Sequence, residues 1–386
     1  APRASALRIY GPALLLAALV VGPWASYRLR PARPLALALV DKTVPFRTRV
    51  EHRSLYWLLD YLRIVRPDGA AYDRDADYLG AFPGPRPGDP PERTTELTAE
   101  AARAADVVYL ADTYGVYRDD LKSGPQMKAA LERSPKIYGG LTLEEARAAI
   151  SALERGKLLI AEFNTLGSPT ERAPREALEG ALGVRWTHWI GRHFPHLEDP
   201  GEVPQWLRRD YEQEWKRPWQ FRGAGYVLVQ DDAHVEVLRY GIESPAIGLT
   251  IERARPHDPL LAHTHDGIPY PYWFDVVETA PGAVTLASFR WSLKPDGHER
   301  LRARGLPASF PAVVRRRTAS GGIALYFAGD FADNPLRDGE VPFSGYLMLR
   351  RRLEALRLVP SEEAFYWRFY VPLMDAILTS HERKTG

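Results

Sequence analysis

Two kinds of segment alternate along the chain. Continuous apolar runs occur at residues 35–40 (LALALV), 107–110 (VVYL), 158–161 (LLIA) and 323–327 (IALYF). Runs of this kind suit strands buried on both faces of a parallel sheet. Between them, Leu55, Leu58, Leu59, Leu62 and Val65 recur at helical spacing and predict a helix over about residues 54–66, with further helices expected at 99–105 and 143–155. Residues 80–91 (GAFPGPRPGDPP) read as a loop. Strand alternating with helix predicts an α/β fold, a parallel sheet wound with crossover helices. From Gly183 the pattern changes. GVRWTHWIGRHF and the stretch between Trp206 and Trp219 are rich in aromatic residues, and β-like runs follow at 226–230, 234–238, 273–277 and 284–291. They predict a β-rich insertion or second subdomain. Two helices, about 345–356 and 361–378, close the chain. The expected division is an N-terminal anchor over 1–33, an α/β domain over 34–240, a β-rich insertion over 241–320, and a closing strand with helices over 321–386.

The N-terminal segment carries its own signal. Residues 9–27 (IYGPALLLAALVVGPWASY) hold no charge and lie between Arg3 and Arg8 on one side and Arg28, Arg30 and Arg33 on the other. That length matches a transmembrane helix, with Trp24 and Tyr27 placed as interfacial anchors. Gly11, Pro12, Gly22 and Pro23 are tolerated in such spans. A cleaved signal peptide is the alternative. The expectation is a single-pass cell-membrane protein whose remaining residues lie outside the cytoplasm.

Composition removes several classes of chemistry. Lys plus Arg number 51 against 49 Asp plus Glu, a balance that gives no electrostatic reason to expect nucleic acid as a partner. Cysteine is absent, which excludes disulfides, thiolate metal sites and a cysteine nucleophile. No nucleotide-binding glycine motif and no Gly-x-Ser-x-Gly elbow occurs, so no cofactor is expected. His263-x-His265-Asp266, with His257 and Asp258 upstream, is the one metal-like cluster in the sequence. It sits among Pro256, Gly267 and Pro269, reads as an exposed loop, and no metal is assigned to it.

Three segments carry a family resemblance. Gly139-Gly140, a helix, and then Gly156-Lys157 with the strand 158–161 form one; residues 284–287 with 311–314 form the second; and Gly321-Gly322 through Asp330 form the third. Together they resemble the class I glutamine amidotransferase-like fold, a flavodoxin-like sheet, and in particular its non-glutaminase branches such as the trimerisation domains of bacterial β-galactosidases. In that superfamily the first of these segments leads into a nucleophile elbow. Where glutaminases carry cysteine, this chain has Glu162-Phe163-Asn164, so amide hydrolysis through a thioester is excluded. The stretches DKTVP, ADTYGVY, AEFNTLGSPT and WIGRHF further resemble membrane-anchored bacterial proteins associated with cell-envelope or exopolysaccharide systems.

In parallel sheets, ligands collect beyond the carboxyl ends of the strands. Those ends are expected to gather Asp41, Lys42, Asp112, Tyr114, Glu162, Asn164, Asp330 and Asp333. Crowded carboxyls separate their pKa values and can divide acid and base roles. Glu162 is the first candidate for an acid or nucleophile, with Asp112 and Asp330 as partners; a helix-capping or ion-pairing role is the competing expectation. Glu51 and His52 could pair at the same rim, although Glu51 also suits a helix N-terminus. Asp41, Lys42, Tyr114, Tyr117, Asn164, Thr165, Trp186, Trp189 and Arg192 are the candidate ligand-binding residues, the aromatic ones offering faces on which sugars stack. Ordinary aromatic packing is the alternative. Two functions follow: a membrane-anchored extracytoplasmic envelope protein that binds a glycan or polysaccharide at the rim, with hydrolysis there as the further expectation; or a non-catalytic pseudo-enzyme serving as scaffold or accessory subunit of a membrane-bound polysaccharide synthesis or export complex.

Overall fold

The structure is a computed structural model that describes residues 18, 19, 21–122, 134–231, 234–333, 340–356 and 363–385. In chain order the main elements are β1 (Leu37–Asp41), α1 (Val50–Tyr61), β2 (Leu79–Phe82), β3 (Arg93–Thr94), α2 (Ala99–Ala104), β4 (Val107–Asp112), α3 (Leu143–Glu154), β5 (Leu158–Ala161), α4 (Arg172–Leu182) and β6 (Val184–Phe194). There follow α5 (Gln205–Trp215), β7 (Gly225–Gln230), β8 (Val235–Arg239), β9 (Leu249–Arg253), β10 (Ile268–Pro269), β11 (Phe274–Thr279), β12 (Ala283–Trp291), α6 (Pro295–Ala303), β13 (Ser309–Arg317) and β14 (Ile323–Phe327). The chain closes with α7 (Tyr346–Ala355) and, after a π-helical turn at Tyr366–Tyr370, α8 (Val371–Thr385).

Ten strands form one sheet in the order β10-β9-β12-β13-β14-β5-β4-β1-β2-β3. Its centre is parallel: β14, β5, β4, β1 and β2 run the same way, with Leu159 of β5 level with Val108 of β4 and Ala324 of β14. The apolar runs of β4, β5 and β14 sit in this stretch and are buried on both faces. The sheet as a whole is mixed, because β13, β12, β9 and β10 extend it antiparallel beyond β14. The wholly parallel sheet expected from the alternation is corrected accordingly. A second, antiparallel sheet has the order β8-β7-β6-β11. The β-rich region is therefore divided: part lengthens the main sheet, and 184–194, 225–239 and 274–279 form a separate layer, so the sheet boundaries do not follow the 240/241 and 320/321 limits.

Two local features position the rim. Thr142 caps α3 in a capping box with Glu145, each accepting from the other's backbone N–H. Just before it, Gly115 and Gly139 have φ of 100° and 133°, and a Cβ on Gly139 would lie 2.4 Å from the Gly115 Cα. Only glycine fits there, and the pair brings the loop after β4 against the loop before α3.

The span expected over residues 9–27 lies mostly outside the described residues. Among the described residues no helix is long and apolar enough to cross a membrane. The chain is helical over 21–28, and Tyr27, expected as an interfacial anchor, is fully buried with its hydroxyl donating to the Asp60 carboxylate at 2.6 Å.

Candidate functional site

The parallel strands end on one rim and deliver acids there. Asp41 closes β1 and Asp112 closes β4, and the two are level in the pairing. Asp330 lies just beyond β14, its backbone N–H donating to the Trp273 carbonyl at 3.0 Å. After β5 the chain turns sharply. Asn164 adopts φ 64°, in the left-handed region that Asn tolerates better than most residues, and the Thr113 hydroxyl holds its carbonyl at 2.9 Å. Asn164, rather than Glu162, thus occupies the apex of the elbow.

A half-open cavity of about 290 Å³ lies over this rim. Its floor and walls include the acids Glu51, Asp112, Asp231, Asp330 and Asp333, the aromatic residues Tyr114, Phe163, Trp186, Trp206 and Trp273, and Thr43 and Asn164. Among the described residues no lysine or arginine lines it. The second sheet supplies the aromatic wall. In β6 the register against β11 slips between Trp186 and Trp189, and His188 within the slip has φ 67°; such a bulge re-aims side chains. Trp273, which immediately precedes β11, stacks on Phe163 with ring centres 6.0 Å apart.

The carboxyls are held by distinct environments. Asp112 Oδ1 accepts from the Thr43 hydroxyl at 2.8 Å and from the Tyr114 N–H at 2.7 Å. Burial, reinforced by the neighbouring Asp41 charge, nevertheless pushes its pKa up to about 7. Asp330 and Asp333 share a hydrogen bond. Burial raises both; Asp330 is held well above the usual carboxylate range, while the Arg192 and Arg53 charges limit Asp333 to about 6. Glu51, in the first turn of α1, is raised by burial and by the charges of Asp41 and Asp333. Carboxyls so separated divide into proton donors and proton acceptors near neutral pH. Among the described residues no group of three His, Asp or Glu side chains is disposed to hold a metal ion. Two members of the histidine loop are ion-paired instead, Asp258 with Arg315 at 2.8 Å and Asp266 with Arg253 at 2.6 Å.

Several predicted residues stand elsewhere. Glu162 is fully buried behind the cavity: its Oε2 accepts from the Phe331 and Ala332 N–H groups at 3.0 Å each, and its Oε1 accepts from the Tyr109 hydroxyl, which also contacts the Tyr370 hydroxyl at 2.9 Å. This is a core latch joining β4, the segment after β14 and the C-terminal helices, not a group open to substrate. Lys42 is turned away, its ammonium 2.6 Å from Glu145 and 3.0 Å from the Gly140 carbonyl. Asp41 is buried against His52, with Oδ2 2.6 Å from Nδ1, while the other imidazole nitrogen lies 3.0 Å from the Arg74 carbonyl. Trp189 faces a neighbouring groove. Tyr117 packs on Tyr114 with ring centres 4.8 Å apart, and Thr165 is buried. Arg192 lies over the Phe194 and Trp273 rings at 5.4 and 5.6 Å, outside the lining but near enough to bias Asp333. Of the residues expected at the rim, Glu51, Asp112, Tyr114, Asn164, Trp186, Asp330 and Asp333 meet in the cavity. Phe163, Trp206, Asp231 and Trp273 join them without having been proposed as site residues; the aromatic richness from Trp206 onward was the visible signal for Trp206 alone.

No protein-family model and no curated protein matches the chain. Among solved structures, a cytoplasmic protein of Salmonella typhimurium is similar at 11% identity and a TM-score of 0.39, covering 90% of this chain and 98% of that one. A ThuA-like protein from Bacteroides uniformis is similar at 11% identity and a TM-score of 0.35, over 81% of this chain and 89% of that one. A glutamine amidotransferase from Thermotoga maritima is similar at 12% identity and a TM-score of 0.34, over 90% and 99% of the two chains.

Proposed function

We propose that the rim cavity binds a glycan and hydrolyses it with carboxyl groups, in a protein of the cell envelope tethered by its N-terminal segment. The observation that carries this reading is the lining itself: Trp186, Trp206 and Trp273 offer flat apolar faces beside Asp112, Asp330 and Asp333. Sugars present apolar ring faces and polar edges, and such a wall meets both. The five parallel strands, in the order β2-β1-β4-β5-β14, support reading the core as flavodoxin-like, with its ligand at the strand ends.

Asp330, held protonated, is the proton donor to the leaving oxygen. Asp112 is the acceptor that activates water. β5 lies between β4 and β14, so two interstrand spacings separate the backbones carrying the two acids, roughly 10 Å. That leaves room for a substrate between the side chains. Burial, and after it the neighbouring Asp333 charge, helps hold Asp330 protonated. Because the acceptor must be ionised, activity is expected to rise as pH passes through about 7.

Hydrolysis of a panel of envelope polysaccharides by the purified full chain tests the reading. Asp112→Asn and Asp330→Asn should each lower the rate by about a hundred-fold or more, with the fold intact by circular dichroism. Glu162→Gln should stay within a few-fold of the parent. Binding without turnover would leave a glycan-binding accessory subunit; a parent rate unchanged in both Asp variants would remove these carboxyls from the mechanism.

A further inference from the structure

The exposed apolar side chains are unevenly distributed. Eight of the twelve large apolar residues exposed among the described residues fall within 19–29 or 341–356. Leu19, Val21, Trp24 and Leu29 belong to the N-terminal helical stretch, and Met348, Leu349 and Leu356 lie on or beside α7. The two stretches are joined. The Ser344 N–H donates to the Pro23 carbonyl at 3.0 Å, and Arg30 donates to the Ser344 hydroxyl at 3.1 Å. Buried Tyr27 fixes the helical turn from the other side through Asp60. Contiguous apolar patches of this kind mark contact surfaces.

Exposed arginines fringe the patch. Arg350 is turned inward onto Glu340 and Glu363, whereas Arg351 and Arg352 are exposed and have no carboxylate partner among the described residues. Exposed Arg28 rests on Trp24, 5.5 Å from the ring centre. Apolar side chains fringed by arginine match a bilayer surface bearing anionic headgroups. The sequence leading into the patch is free of charge from Ile9 onward. Since Tyr27 and Pro23 tie the chain to the domain at this point, whatever holds that segment in lipid also brings α7 to the interface.

We propose that the face formed by residues 19–29 and α7 lies against an anionic lipid bilayer, so that the folded domain docks on the membrane instead of swinging from a flexible tether. This goes beyond the glycan reading and rests only on the N-terminal tether proposed with it, not on glycan binding or hydrolysis.

The absence of cysteine makes the test clean. Leu349→Cys and, as a reference away from the patch, Ile242→Cys (both positions exposed) are introduced singly into the full chain and labelled with an environment-sensitive fluorophore. Each is mixed with phosphatidylcholine vesicles with and without phosphatidylglycerol. The Leu349 label should shift to the blue and be shielded from iodide on the anionic vesicles, while the Ile242 label stays open to quencher. Arg351→Glu with Arg352→Glu should weaken partitioning onto those vesicles by about ten-fold or more. A chain that binds vesicles while its Leu349 label quenches as in buffer is held by the N-terminal segment alone, which overturns the proposal. Shielding that rises with protein concentration in the absence of vesicles identifies a second copy as the occupant and overturns it equally, as does failure to bind either vesicle.

Discussion

Glu162 shows how position and role can separate. Its place after an apolar strand marks it as a rim acid, yet its oxygens are consumed by two backbone N–H groups and a tyrosine. Burial raises its pKa to about 8, so at neutral pH it is largely a neutral hydrogen-bonding bracket. Glutamine can still accept from both N–H groups, and Glu162→Gln should cost less than about 1 kcal/mol in urea unfolding. Glu162→Leu orphans both donors and should cost about 2–5 kcal/mol. The raised acids also set a pH dependence. Asp112, with a folded pKa of about 7, and Glu162, about 8, bind more protons folded than unfolded between their ordinary values near 4 and these folded values. Their contribution to stability is therefore full only below about pH 4 and is lost as pH rises from there through about 7 for Asp112 and about 8 for Glu162, at up to roughly 1.4 kcal/mol per pH unit for each group. Melting temperatures measured between pH 5 and 8 should fall with pH from this cause, and Asp112→Asn should flatten part of the slope.

At the scale of elements, strands buried on both faces were the most legible. The runs at 158–161 and 323–327 are strands over those same residues, because nothing but apolar side chains suits both sides of a covered sheet. β2 was hidden: Gly80, Ala81 and Phe82 fall in the Gly- and Pro-rich stretch 80–91 read as a loop, but are strand, and Gly80 is needed because a Cβ there would fall 1.7 Å from the Asp41 carbonyl. α4 and α5 were hidden for a different reason. Each buries few residues, Pro174, Leu178, Ala181 and Leu182 in one and Leu207 and Tyr211 in the other, too few to print a helical period. Lys42 links elements rather than serving the cavity. Its ion pair with Glu145 is almost wholly buried and ties the end of β1 to the start of α3. Lys42→Met strands the Glu145 charge and should destabilise by about 3–5 kcal/mol in chemical denaturation.

The whole molecule makes the cavity by bringing two sheets together, and this was the least legible level. Asp112, Asn164 and Asp330 could be anticipated because strand ends of one sheet share a rim. Trp206 and Trp273 could not be placed there, since they belong to the region of the second layer, whose docking leaves no periodic trace in sequence. Their side chains nevertheless form much of the wall against which a sugar would stack. The most direct measurement is calorimetric titration of the full chain with envelope oligosaccharides, beside Trp206→Ala. A saturable heat for the parent, weakened about three- to ten-fold in Trp206→Ala, is the predicted result. A parent that binds no oligosaccharide, or binds one with the same affinity as Trp206→Ala and Asp330→Asn, would contradict the assignment of this cavity to glycan.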